Sequence, residues 1–466
     1  MISNRIATLL PSNRRNRIPS TLMNRPSHTS LRRSLVPAFT AGLLTAGLFA
    51  FGQSSLAAQE LLAVRGGTVH TMKDGVMENA TILIEDGVIT AIGTEVEVPW
   101  NATVVDAEGK IVLPSYVLAH SSGGMGGQNE RMANVPFLTV EDALDPSSQY
   151  FEDGRRNGIG TMHIIPGNRT LIGGQGMIVR PFGKTVEDMA LATRTGLKMS
   201  LQASGGSRLQ QIRGMRNALR DAARAQDELA RKRELFEQEQ AAGAIPEDQE
   251  FEEELDERQA PVAKLLNGEL RGFLYVPGAP EVAEVEQMKA DYPVLDLALI
   301  VGPRCYKAAD RLAALGFPVI LDSSALEYTE TDPLTDEDTL ICPAKVFSDA
   351  GIDFALSLSS GITGASRYPW WQMAVMVRHG VGRDQALRSL TTRPAEILGL
   401  DDRIGSLAEG MTANVQILTG DPLSATTWVD TLVLDGEVVY RRSEDRRLKI
   451  LFGENDDAEA SNEGGE

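Results

Sequence analysis

Ile111-Val112-Leu113-Pro114-Ser115-Tyr116-Val117-Leu118-Ala119-His120-Ser121-Ser122-Gly123-Gly124 is the stretch on which the fold turns. Apolar residues run almost unbroken to Ala119, as a single strand covered on both faces requires. The run then stops at a polar, glycine-rich turn. In a parallel α/β barrel the chemistry sits where the strands emerge at their C-terminal ends. His120, Ser121 and Ser122 stand at that point.

Outward from this stretch, strand-like and helix-like segments alternate, as βα repetition demands. Thr161–Pro166, Leu297–Val301, Pro318–Leu321 and Ile352–Leu358 read as strands. Ala308–Leu315, Trp371–His379, Arg383–Thr391 and Pro394–Leu398 read as helices. Before the barrel, Leu61–Met72 and Thr81–Gly93 read as short strands, the second a hairpin with Asp86-Gly87 at its tip. After it, Ala413–Leu418 and Thr431–Tyr440 carry a second Asp-Gly turn at Asp435-Gly436. Neither end can bury an apolar face alone, so both are expected to share one small β-sandwich. The fold class is α/β, a (β/α)8 TIM-like barrel plus that sandwich. The expected boundaries are 59–112 and 405–442 for the sandwich halves and 113–404 for the barrel.

A helical insertion at about 207–260 interrupts the rhythm. Ser207–Gln240 has Leu209, Ile212, Met215 and Leu219 at helical spacing, and Glu247–Arg258 reads as a second, acidic helix. As a solvated family insertion or as a lid or partner-binding arm, it is expected over the barrel mouth.

Residues 1–58 carry seven arginines and no acidic residue, and an apolar run, Ser34–Gly52, leads to small residues at Ser55-Leu56-Ala57. That order is a secretory signal, so the protein is expected to be exported, periplasmic or extracytoplasmic. An uncleaved membrane anchor is the weaker alternative. The net charge of −19 argues against nucleic acid as a partner. Residues 453–466 read as an acidic disordered tail. Two cysteines, Cys305 and Cys342, make no disulfide framework, and whether they pair is open.

Leu113-Pro114 and His120, with the sandwich phrases at both ends, resemble the amidohydrolase superfamily, whose first barrel strand usually reads Leu-Pro-Gly-x-x-Asp-x-His-x-His. Gly173-Gly174-Gln175-Gly176, read as a glycine-rich loop, Leu197-Lys198-Met199 and Ser366-Arg367-Tyr368-Pro369-Trp370 narrow the likeness to an imidazolonepropionase-like exported branch. The resemblance covers nearly all of residues 60–442. It implies a hydrolase of carbon–nitrogen bonds in small amides or cyclic amides, with water activated on zinc or another divalent ion. The ligands implied are His-x-His from strand one, sometimes a carboxylated lysine, histidines after strands five and six, and an aspartate after strand eight.

This chain departs from that set. Ser122 replaces the second histidine, Tyr275 and Pro277 stand for the strand-five pair, Val301 for the strand-six histidine, and Ser359 for the aspartate. Lys198 is at the place of the carboxylated lysine, but without partner ligands it reads as an ordinary lysine. No metal ligand and no resident cofactor are therefore expected. His120 is the candidate general base and Ser122 its nucleophile or hydrogen-bond partner, with a hydrogen-bonded relic at the strand end as the competing reading. Gln175, Tyr275, Arg304, Ser359 and Arg367 are candidate ligand contacts. Two functions stay open: a hydrolase impaired by the lost metal site, or a non-catalytic protein that binds a small molecule, forms a homo-oligomer or pairs with an active relative.

Overall fold

The computed structural model describes residues 61–203, 206–322, 326–358 and 367–453. The leader, Ser359 and the acidic tail beyond Gly453 lie outside the described residues. The first strands are β1 (Leu61–His70), β2 (Val76–Glu85), β3 (Val88–Gly93), β4 (Thr103–Asp106) and β5 (Ile111–Pro114). Then come β6 (Tyr116–Ser121), β7 (Ile159–Ile164), β8 (Ile172–Val179), β9 (Ala190–Ser200), β10 (Gly272–Gly278), β11 (Leu297–Arg304) and β12 (Val319–Leu321). A ribbon of β13 (Tyr328–Thr331) and β14 (Asp338–Ile341) precedes β15 (Phe354–Leu356). Last are β16 (Val415–Leu418), β17 (Val429–Leu434) and β18 (Glu437–Arg441).

The small sheet runs β18-β17-β16-β5-β1-β2-β3, with β4 also paired to β1. Strands from both ends of the chain thus meet at β5, which pairs parallel with β1 and antiparallel with β16. Ile82, Ile84, Val112, Val415 and Ile417 fill its core. Asp86 and Gly87 turn the β2–β3 hairpin with φ of 48° and 81°, the primed geometry whose twist matches the strands.

The decisive stretch is two strands in two sheets, which corrects its reading as one. β5 belongs to the small sheet and β6 to the barrel. Pro114 has no N–H to continue a ladder. Beyond it the Ser115 N–H donates to Asn414 O at 2.9 Å and the Tyr116 N–H to Gly158 O at 2.8 Å. An apolar run crossing two sheets keeps the pattern of a run crossing one, so periodicity cannot show the break.

The barrel is an almost closed sheet in the order β15-β12-β11-β10-β9-β8-β7-β6. The seam is closed by residues 389–390: Leu356 N–H donates to Ser389 O at 2.9 Å and Val117 N–H to Leu390 O at 2.8 Å. Ala119, Phe273, Tyr275, Ile300 and Ile320 share a buried cluster within it. One strand breaks the βα repetition, because β8 runs antiparallel to both β7 and β9. Gly173-Gly174-Gln175-Gly176 therefore lies in a strand and is not a loop. A Cβ on Gly174 would stand 2.7 Å from Leu138 O, and one on Gly176 would collide with His163 Nε2. Glycine inside a strand marks such close approaches.

The insertion begins with a 34-residue helix, Arg208–Ala241, started by a Ser207–Gln210 capping box. Met215, Leu219 and Ala222 are its buried residues. Gln211 Nε2 donates to Ser200 O at 2.9 Å, and Arg216 forks onto Glu284 of the helix Ala279–Asp291. Residues 247–258 form no helix, contrary to the sequence reading. Eight of those twelve residues are acidic, and like charges one turn apart repel. The segment returns along the long helix instead, with Phe251 edge-on to Phe236 at 5.5 Å. Among the described residues no helix is long and apolar enough to cross a membrane. Cys305 and Cys342 are both free and buried.

Candidate active site

Side chains from several strand ends converge on His120, the penultimate residue of β6. Lys198 of β9 places Nζ 3.0 Å from His120 Nε2 and 2.6 Å from Asn168 Oδ1. Asn168, in the turn after β7, donates through Nδ2 to Asp322 Oδ2 at 3.4 Å and accepts at its carbonyl from Ser200 Oγ at 2.6 Å. Ser357, just past β15, has Oγ 3.4 Å from His120 Nδ1 and donates to His120 O at 3.1 Å. These bonds fix the imidazole. Ser357 uses its proton on the carbonyl, so Nδ1 carries hydrogen toward Ser357 and Nε2 accepts from Lys198.

Burial sets the electrostatics. Lys198 is fully buried, and burial pulls its amine down to about 7 against the opposing charge of Asp322. Burial, then Lys198, then His163 hold the His120 imidazole well below its ordinary value, so it is neutral at pH 7. Either protonation state of Lys198 supplies the two N–H groups that His120 and Asn168 accept. Burial, with Asp322 and then Cys305 adding, raises the Tyr275 hydroxyl well above its ordinary value. His163, deeper in the barrel, bonds Ala119 O through Nδ1 at 3.0 Å and packs on Phe273 at 4.4 Å. Burial takes it down to about 4.

The sequence candidates separate in space. His120 and Tyr275 belong to this cluster, Tyr275 through Asp322. Ser122 lines a side cavity of about 210 Å³ with Gln128, Tyr150, Asp153 and Arg367. The Gly123-Gly124 pair beside it is required by packing. A Cβ on Gly123 would stand 2.5 Å from the Tyr150 ring, and one on Gly124 would collide with Phe151. Gln175 is tied to the preceding loop, Nε2 donating to Pro136 O at 3.0 Å. Arg304 donates to the Tyr328 hydroxyl at 3.1 Å on the β13–β14 ribbon. Arg367 donates to the Tyr368 hydroxyl at 2.7 Å. Asn168, Asp322 and Ser357 escaped the sequence reading. Asp322 had a usable signal, since it follows the strand Pro318–Leu321 directly, at a barrel strand's C-terminal end.

Among the described residues, the cluster around His120 does not fit a divalent ion. The lone pair that His120 Nε2 would offer is taken by Lys198, and a protonated amine there opposes a second cation. Among the described residues no group of three His, Cys, Asp or Glu side chains is placed to hold a metal. The cluster offers instead a buried amine, a carboxylate and a phenol, which can donate to a carbonyl and accept from an N–H.

The amidohydrolase family model matches residues 349–440. "Amidohydrolase tasK" of Hapsidospora irregularis is 23% identical over 429 residues, covering 79% of this chain and 41% of that protein. The chain thus spans about two fifths of that relative's length. A dihydroorotase of Acetivibrio thermocellus is 44% identical over 62 residues, 13% of this chain and 14% of that enzyme. Among solved structures, an amidohydrolase from Thermotoga maritima MSB8 superposes with a TM-score of 0.70 at 23% identity, covering 82% of this chain and all of that one.

Proposed function

We propose that the chain is a member of the amidohydrolase superfamily, supported by the family model over residues 349–440 and by the relative 23% identical to it, and that its barrel mouth binds a small amide or cyclic amide without metal-assisted hydrolysis. One observation carries this reading: a lysine amine, not a vacant coordination position, faces His120 Nε2 at 3.0 Å. Metal hydrolysis needs water lowered in pKa by an ion held on several ligands. Here the neighbouring groups are an amine, an amide, a hydroxyl and a carboxylate engaged with one another. A bound amide is complementary to them, its carbonyl accepting the third N–H of protonated Lys198 and its N–H donating to Asp322. Metal analysis of the dialysed chain is expected to find zinc, manganese and iron far below one per chain, and Ser122→His alone is expected to leave that result unchanged. Near-stoichiometric metal, whose chelation abolishes cyclic-amide hydrolysis, would establish the hydrolase reading in its place.

The same reading places the mature chain outside the cytoplasm, supported by the arginine-rich start, the apolar run and the small-residue exit near Ala57. N-terminal mapping of the cell-derived protein is expected to find a start near Ala58, and an intact Met1 on soluble cytoplasmic protein would exclude it.

A further inference from the structure

A larger cavity, of about 600 Å³, opens beside the helix Gln149–Arg156 and is lined by none of the His120 cluster. Its walls differ in character from one side to the other. Tyr368 and Trp370 stack at 6.2 Å with 27° between their planes, Trp428 also lines it, and Leu451 stands at the rim, 69% exposed. Three guanidinium groups, those of Arg156, Arg367 and Arg447, also line it, and all three approach one carboxylate, Asp153. Arg156 is 2.5 Å and Arg447 3.3 Å from Asp153 Oδ1, while Arg367 is 3.9 Å from Oδ2.

The charges at this end are unequally matched. Arg156 also holds Asp445 at 2.6 Å and Glu152 at 2.8 Å. Among the described residues Arg447 has long contacts, 3.3 Å to Asp153 and 4.0 Å to Glu152, with 45% of its side chain exposed. A carboxylate pairs best with one guanidinium fork at a time, so Asp153 shared three ways leaves Arg447 able to take another anion. The volume falls in the range of small-molecule sites. An aromatic wall ending at a guanidinium cluster is complementary to a molecule with an apolar body and an anionic head.

We propose that this cavity binds a small carboxylate with an aryl-alkyl body, the carboxylate on Arg447 and the ring against Tyr368, Trp370 and Trp428. The site is independent of the proposed barrel-mouth function. Arg367 and Asp153 also line the side cavity that reaches Ser122, so the two chambers share a wall.

The full chain is titrated with 4-phenylbutyrate, and with the uncharged 4-phenylbutanol, by calorimetry and tryptophan fluorescence. One saturable site is expected for the carboxylate, with the alcohol at least about tenfold weaker because it forgoes the charge-assisted bonds. Arg447→Ala is expected to weaken the carboxylate by about tenfold or more. Leu451→Asp, at an exposed rim position, is expected to weaken it too, through like-charge repulsion, without changing the thermal melt. Lys198→Met, in the barrel mouth, is expected to leave binding intact. Absence of saturable binding, equal binding of the alcohol, or full binding in both rim variants overturns the proposal. So does binding lost in Lys198→Met, which assigns the anion to the barrel. Binding that appears only after removal of residues 454–466 overturns it as well, assigning the cavity to the chain's own acidic end.

Discussion

Lys198 is the residue on which the site's chemistry depends. In the unfolded chain its amine titrates at about 10.4, whereas burial brings it to about 7 in the fold. Between these values the unfolded chain holds a proton that the folded chain does not, so stability rises with pH across the window. Below about 7 both states are protonated and the full cost of burying the charge is present. Above about 10.4 neither is protonated and the cost is gone. Lys198→Met removes the titration while nearly keeping the volume. From urea unfolding at pH 7.0 and 9.5, the wild type is expected to gain about 2–3 kcal/mol more than the variant over that interval. The change between the two pH values carries the test, because the lost bonds to His120 and Asn168 shift the variant equally at both. Parallel pH dependence would mean that Lys198 is solvated and that the His120 contact is not built as described. This residue was visible in the sequence only through resemblance, as a relic of a carboxylated lysine. Its actual partners, Asn168 and His120, lie 30 and 78 positions away, and no local pattern pairs groups at such separations.

At the scale of elements, legibility followed locality. The Asp86-Gly87 hairpin and the helix from Arg208 were readable because a turn type and an apolar helical spacing are written locally. Three elements were not. The β5–β6 break depends on which sheet each half joins, a choice made by Asn414 and Gly158, far along the chain. The reversed strand β8 looked like a ligand loop because its glycines answer to Leu138 and His163 rather than to a turn. Residues 247–258 have helix-forming side chains, but their charge has no compensating face, and only Phe251 and Leu255 offer apolar anchors. The long helix is better described as docked than as free. Glu284 is 3% exposed and its partner on that helix, Arg216, half exposed, so the ion pair fixes the helix against the barrel wall. Buried carboxylates without such a partner are costly.

At the scale of the molecule, the two ends of the chain are structurally one element. β5 sits between β1 and β16, and Ser115, which leads into the barrel, donates to Asn414 O. Asp445, 7% exposed, binds Arg156 of the first barrel helix at 2.6 Å, so the C-terminal segment also braces the barrel. Val415, Ile417, Leu432 and Val433 are fully buried. At roughly 2 kcal/mol each, removing them forfeits about 8 kcal/mol, comparable with the whole net stability of a typical domain, about 5–15 kcal/mol. Their loss also uncovers Ile82, Ile84 and Val112 and leaves the β5 edge unpaired. A chain ending at Ile404 is therefore expected to lack a cooperative thermal transition and to bind an apolar dye. A chain beginning at Ala58 and keeping its C-terminal end is expected to melt cooperatively, because β1 starts at Leu61 and loses no partner. Calorimetry of the two truncated chains decides the point. Cooperative melting of the chain that ends at Ile404 would show that the barrel stands without its second sheet, and that the shared sheet is an appendage rather than part of the folding unit.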